Sequence, residues 1–395
     1  MLIIQTDYYH IKLIIIHYIY NKENIHTKAH LKPINMDNYK IKNYCKRIFF
    51  IILLAGVTLS CQDKKNAKDY VDSASAPLDF NQEDDTQLRQ QAQNFFGSIS
   101  DLPRETISSE KIELGKRLFF DKRLSKDETI SCNSCHSLTN YGVDNLPLSP
   151  GDTKEVGNRN SPTVFYSSLH SMQFWDGRAK DVEEQAGGPI LNPVEHNIPS
   201  EEFLENRLRE IEIYQAMFKE VYPDSTQPIT FATITDAIGA FERQLNPKSR
   251  YDDWVDGDSD AMTTEEKIGL RAFIDNACIT CHTGPAFGGI MLQKFGLHGN
   301  YWELTKSEVI DKGLFDLNND EAYKYVFKTP GLRNIEKTHP YFHDGSVDNL
   351  QEAIRIMGEL QIGKTISDED VSSIETFLKA LTADIDEEYK QQDWE

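Results

Sequence analysis

The pentapeptide Cys-x-x-Cys-His occurs twice in this chain, at Cys132-Asn133-Ser134-Cys135-His136 and at Cys278-Ile279-Thr280-Cys281-His282. Two thiols at this spacing can add to the vinyl groups of a haem as thioethers, and the imidazole that follows can become the proximal ligand to iron. The same residue types have other chemistries: four thiols and two imidazoles could hold zinc, and a Cys-x-x-Cys pair could be a redox dithiol. Two complete copies on one exported chain favour two covalent haem c groups. One would be held by Cys132, Cys135 and His136, the other by Cys278, Cys281 and His282.

Export is read from the first 60 residues, an N-terminal extension. From Lys46 to Cys61 a basic end leads into a short apolar run and a small residue before Cys, as in a bacterial lipoprotein signal. The run is shorter than the ~20 apolar residues that span a bilayer. Thr58 stands where such signals usually carry Leu, so a lipid anchor at Cys61 and simple secretion to the periplasm are both open. Met36 is a second possible start, downstream of the apolar patch Leu13–Ile16. With Cys45 in the signal and Cys61 a lipidation candidate, none of the six cysteines is left for a disulfide.

The formal charge of −21 argues against nucleic acid and favours basic protein partners. Residues 61–100 are rich in Asp, Asn, Gln, Ser and Lys and read as a flexible tether, with ordered structure expected from near Leu102. Apolar residues at helical spacing follow in 110–120. The pattern Gly115-Lys116-Arg117-Leu118-Phe119 returns as Gly269-Leu270-Arg271-Ala272-Phe273, each copy ahead of a haem motif. Further helices are expected over 201–220, 233–244 and 367–381, the last with the stripe Val371, Ile374, Phe377, Leu378, Leu381 and capping candidates Ser367 and Asp370. The fold class is mainly α: two cytochrome c-like haem domains, 101–250 and 251–388, with extensive loops, the haem supplying part of each core.

The sixth position on each iron decides between electron transfer and ligand chemistry. Candidates are Met172, Met217, Met262, Met291 and Met357, and, outside the motifs, His170, His196, His298, His339 and His343. Here the chain resembles the bacterial dihaem cytochrome c peroxidase family over roughly residues 100–385. The resemblance is carried by Leu114-Gly115-Lys116, the first haem motif, Gly142–Pro147, Asn160–Thr163, Gln173–Ala179, Glu184-Gln185-Ala186, Cys281–Pro285, Thr329–Asn334, Pro340–Gly345 and Ile356-Met357-Gly358.

That resemblance implies a C-terminal haem of high potential with His282 and Met357 as ligands, receiving electrons from a small cytochrome c or a cupredoxin. It implies peroxide reduction at the N-terminal haem with Glu195 and Gln185 as catalytic residues, Pro189 close by, and Trp175 relaying electrons between the haems. A carboxylate at Glu195 can take a proton from one peroxide oxygen and deliver it to the other, whereas Gln185 can only position peroxide by hydrogen bonding. The resemblance further implies Ca²⁺ between the haems, held by Asn160 and the carbonyls of Thr338 and Pro340, oxygen donors suited to a hard cation. Arg333 becomes a propionate partner, His343 a structural or propionate partner, and a homodimer the common assembly.

One position departs from the family pattern. Many members carry a His sixteen residues after the first proximal His, where it caps the N-terminal haem; here that position is Asp152. Asp is a poor ligand to haem iron, so the N-terminal haem is expected to be five-coordinate or water-bound even when oxidised. Two rivals stand beside peroxide reduction: a dihaem oxidase of protein side chains, whose family commonly carries Tyr where Met357 stands, and a dihaem electron carrier without catalysis.

Overall fold

The computed structural model describes residues 81–103 and 106–392. The expected signal, Met36, Cys45 and Cys61 lie outside the described residues, and no helix among the described residues is long and apolar enough to cross a membrane. The architecture is mainly helical with extensive loops. Among the described residues one small sheet appears, β1 (Leu292–Lys294) antiparallel to β2 (Val326–Lys328), with Leu292 opposite Lys328.

The first helix among the described residues, α1 (Gln82–Phe95), falls where a tether was expected, so that expectation is corrected for residues 82–95. Asn81 caps it by accepting from the amides of Glu83 and Asp84. Its few apolar residues, Leu88, Ala92 and the adjoining Phe96, lie on one face and are buried in the core that holds the second haem motif. Phe96 stacks on Phe287 at 4.2 Å, and Asp85 accepts from Trp254 Nε1 at 3.0 Å and pairs with Lys267 at 2.8 Å. The polar composition of the segment hid this stripe, because the partners that stabilise the helix lie some 170 residues on.

Next come α2 (Ser109–Phe120), α3 (Val182–Leu191), α4 (Glu201–Arg209), α5 (Glu212–Val221), α6 (Phe231–Glu242), α7 (Arg250–Val255), α8 (Thr264–Asp275), α9 (Leu350–Met357) and α10 (Asp368–Lys379). The single helix expected over 201–220 is two, because the chain turns at Glu210–Ile211 so that Leu204 and Leu208 of α4 and Tyr214 and Phe218 of α5 reach one core. Helix α6 starts at Phe231, capped by Thr230, and α10 is capped by Ser367, which accepts from Asp370 N at 3.1 Å.

The repeated Gly-x-x-x-Phe has one structural meaning in both copies. A Cβ on Gly115 would stand 1.9 Å from the carbonyl oxygen of Ala237 on α6, and one on Gly269 would stand 2.0 Å from that of Ser373 on α10. Each glycine therefore lets two helix backbones cross in contact, α2 with α6 and α8 with α10. Four residues on, Phe119 meets Phe241 at 5.5 Å and Phe273 meets Phe377 at 5.6 Å. The same crossing, built twice, holds each haem motif on its own core.

The two cores do not follow the simple boundaries at 250 and 388. Residues 82–96 join the C-terminal core, while Ile385 and Tyr389 return to the N-terminal one, where Lys116 Nζ donates to the Glu388 carbonyl at 2.6 Å.

Candidate functional site

Both haem motifs fold as a single tight turn. In each, the His amide donates to the carbonyl of the first Cys, His136 to Cys132 at 3.0 Å and His282 to Cys278 at 3.0 Å. That bond brings two thiols and an imidazole to one side of the chain. All four cysteines are free. Burial pushes the Cys135 thiol up to about 11 and the Cys278 thiol up to about 12, and raises Cys132 further. A reactive dithiol is favoured by a lowered thiol, the opposite of the direction burial gives here, and among the described residues no three His, Cys, Asp or Glu side chains gather as a metal site.

Cys278, His282 and Met357 line one large cavity, walled by Phe273, Ile354 and Leu378. His282 Nδ1 lies 3.0 Å from the Phe287 carbonyl, which can only accept, so in the neutral imidazole the proton sits on Nδ1 and Nε2 is the basic nitrogen; the Pro330 backbone also faces the ring. Met357 is the last residue of α9, just before the wider turn Gly358–Ile362. Trp175, Asn160, Thr338 and Pro340 line the same cavity from another side. Trp175 Nε1 donates to the Asn160 carbonyl at 2.9 Å, and its ring meets His343 edge-on at 6.3 Å.

Around the first motif, His136 is half-buried, with Nδ1 shielded from solvent and unpaired and the backbone of Gly142 and Pro162 facing the ring. Glu195 is placed by a turn after α3: the amides of Asn192 and His196 both donate to the Pro189 carbonyl, bringing Glu195 and His196 back over the helix end. Its Oε1 accepts from Asn192 Nδ2 at 2.7 Å. Burial raises the Glu195 carboxyl above its usual range, opposed by the Arg178 guanidinium and the Asn192 bond, and its charge is felt at the Cys135 thiol. Gln185 is half-buried on α3, and no hydrogen bond joins it to Glu195.

A family model described as di-haem cytochrome c peroxidase matches residues 109–260. The cytochrome c551 peroxidase of Nitrosomonas europaea is 44% identical over 278 residues, covering 70% of this chain and 81% of that protein. The chain belongs to the di-haem cytochrome c peroxidase family. The cytochrome c551 peroxidase of Pseudomonas aeruginosa is 41% identical over 289 residues, 72% of this chain and 82% of its own length. Among solved structures, a MauG-like protein associated with microbial copper homeostasis superposes with a TM-score of 0.64 at 29% identity, covering 74% of this chain and 97% of that one. As a member of the family, the protein is a peroxidase with two haem c groups. The residues present fit that cofactor: free thiol pairs, an imidazole whose Nε2 is unprotonated when neutral, and an apolar cavity that Met357 lines with its thioether.

In this peroxidase Asp152 is spent on the protein. It is buried; Oδ2 accepts from Asp127 N at 2.8 Å, and Oδ1 accepts from Thr129 Oγ1 at 2.6 Å. Burial opposes its charge, but the Thr129 and Asp127 bonds outweigh it and hold the carboxyl below its usual range. Its amide donates to the Glu195 carbonyl at 2.8 Å, and Gly151 has no room for a Cβ, which would meet the Val194 oxygen at 1.8 Å. Asp152 thus ties the segment that follows Gly151 down onto the Glu195 turn. Of the two imidazoles that could replace a missing cap, His170 lines the other haem's cavity, and His196 is anchored through Nδ1 to the Leu124 carbonyl at 3.0 Å.

Three other expected residues deserve placement. Asn160 donates through Nδ2 to the carbonyls of Leu146 and Pro147, which turns Oδ1 away from them, and the carbonyls of Thr338 and Pro340 accept no hydrogen bond. This donor set, all oxygen, fits a hard cation completed by water. His343 is buried against aromatic rings, stacked on Phe327 at 4.4 Å. Arg333 lines the cavity but is held by a bidentate pair with Asp252 at 2.7 and 2.8 Å, with Nε donating to the Pro285 carbonyl. Sequence reasoning missed Asp252, and also Asn192 and Arg178 as neighbours of Glu195; only the position of Asn192, three residues before Glu195, hinted at contact.

Proposed function

We propose that this peroxidase reduces hydrogen peroxide at its N-terminal site with electrons delivered singly by a small soluble redox protein: H2O2 + 2 e⁻ + 2 H⁺ → 2 H2O. The haem groups, when bound, supply the electron store and the iron at which the O–O bond is cleaved. Glu195 carries the proton chemistry. Its raised carboxyl, held at one oxygen by Asn192, leaves Oε2 free to take a proton from the near peroxide oxygen and return it to the leaving one. Glu195, one of two carboxylates whose charge reaches the Cys135 thiol, the other being Asp144, is the observation that carries the reading. Gln185 would orient peroxide.

Electron entry is assigned to the C-terminal domain, where Met357 offers a thioether that favours ferrous iron. Trp175, in contact with that cavity and with the Asn160 backbone, is the route toward the N-terminal domain. Ca²⁺ on Asn160, Thr338 and Pro340 would stiffen that junction. The peroxidatic domain is 101–250 with residues 385–390, and the electron-transfer domain is 251–384 with residues 82–96. A periplasmic address, with Cys61 as a possible lipid anchor, a cytochrome c or cupredoxin donor, and a homodimer complete the proposal.

Similarity to a MauG-like structure keeps oxidation of partner-protein side chains as the second reading. Met357 at the second haem cavity favours peroxide reduction over it. The test is donor oxidation by peroxide with purified protein carrying two haems per chain. Two equivalents of reduced single-haem cytochrome c or reduced cupredoxin oxidised per peroxide are expected. Peroxide-dependent loss of neither donor would contradict the reading.

A further inference from the structure

Haem carries two carboxylates, and a carboxylate entering an apolar cavity needs a cation or donors to meet it. Two Lys or Arg side chains line the cavity of the second haem motif, Arg333 and Lys328. Four of the five N–H groups of Arg333 are already given to Asp252, Ser249 and Pro285, and its charge is neutralised by Asp252. Lys328 is the opposite case. It is 5% exposed, forms no ion pair among the described residues, and has one side-chain partner, His170 Nδ1 at 3.1 Å.

The site around Lys328 is built. His170 fits against two glycines: a Cβ on Gly289 would stand 2.0 Å from its ring and one on Gly331 2.9 Å from Nε2. Burial, with the Lys328 charge beside it, holds the imidazole well below its usual range, so Nδ1 accepts from the ammonium. Burial also pushes the Lys328 amine down to about 8, so it remains mostly charged at neutral pH. The Lys328 amide donates to the Trp175 carbonyl at 2.6 Å, which fixes this cation on the Trp175 side of the cavity. Among the described residues its ammonium has no other hydrogen-bond acceptor, and the Asp176 carboxylate supports its charged form.

We propose that Lys328, supported by His170, binds a propionate of the C-terminal haem, and that Arg333 instead braces the fold through Asp252. The proposal rests on the dihaem reading of this cavity. Lys328 would give the bound haem's propionate a charge-assisted contact, and because its amide is bonded to the Trp175 carbonyl, the proposed electron route and propionate anchor share β2 and its neighbour.

The test uses full-length holoprotein with Lys328→Met, Lys328→Gln and Lys328→Arg. Haem per chain by pyridine haemochrome comes first: fewer than two thioether-linked haems in the unmodified protein would overturn the dihaem reading itself. With two haems bound, the propionate-bending band of the His282 haem in resonance Raman spectra is expected to shift in Lys328→Met and Lys328→Gln. Lys328→Arg should hold it near its original position. The midpoint potential of that haem should fall in the two neutral variants, because a cation near the propionate favours the ferrous form. An unshifted band in either neutral variant with full haem content overturns the propionate contact while leaving the dihaem reading intact.

Discussion

Glu195→Gln is expected to lower peroxide turnover by about 100- to 10,000-fold, the usual contribution of a positioned acid–base group, while two haems remain bound. Glutamine keeps the shape and the Asn192 contact but can neither accept nor return a proton at neutral pH. The pH profile separates this from a structural loss. Because burial raises the Glu195 carboxyl, the acid limb of kcat/KM should lie above the ordinary range near ~4.3. The carboxylate is the working form in the free enzyme, so activity rises as pH passes upward through that value. Glu195→Gln should abolish the limb. Arg178→Ala should move it further up, since the guanidinium favours the ionised form. Steady-state kinetics from acid to neutral pH decide the matter, and an unmoved limb in Glu195→Gln would assign the proton step to another group.

Asp252→Asn is expected to destabilise the fold by about 3–5 kcal/mol, because it leaves the Arg333 guanidinium buried without its counter-charge. Both side chains are fully buried, and Asp252 also accepts from the Ile99 amide at 3.0 Å and the Ser249 amide at 2.8 Å. The residue therefore ties α7 to the segment after α1 and to the loop carrying Arg333. Burial opposes the Asp252 charge, but Arg333 outweighs it and holds the folded-state carboxyl below its usual value. A depressed carboxyl contributes stability that is complete above the unfolded value of about 3.9 and is lost as pH falls through the folded one. The difference between Asp252→Asn and the unmodified protein should accordingly be full at pH 7 and shrink below about pH 4. Denaturant titrations at both pH values measure it. Replacing both partners by apolar residues should cost less than removing Asp252 alone.

What the sequence displays well is chemistry written in contiguous residues. The two haem pentapeptides, the Gly115/Gly269 repeat and the Ser367 cap each depend on neighbours within one helix turn or on a short motif used twice. The repeat reveals its reason only in three dimensions, as a backbone carbonyl 2 Å from where a side chain would begin. Pairings across long stretches of chain were not legible. Arg333 meets Asp252 over 81 residues and Lys328 meets His170 over 158, so neither pattern is periodic in sequence. Arg333 is expected as a haem partner from the family resemblance of Thr329–Asn334, and Lys328, just ahead of that stretch, carries no separate signal. Residues 82–95 look unstructured in sequence for a related cause: their two buried apolar positions, Leu88 and Ala92, and the adjoining Phe96 acquire meaning only against Trp254 and Phe287. Asp152 was legible as a departure, but its tie to Asp127 and Thr129 was not.

We propose in addition that the N-terminal site meets peroxide without prior reduction, since Asp152 is committed to the Asp127–Thr129 loop and His170 to Lys328. Low-temperature EPR of the fully oxidised protein, followed by peroxide addition before and after one-electron reduction, tests it most directly. A high-spin ferric signal and immediate reaction with peroxide in the oxidised form are the expected result. Two low-spin signals, with reactivity gained only on reduction, would contradict it and would assign a capping role to His196.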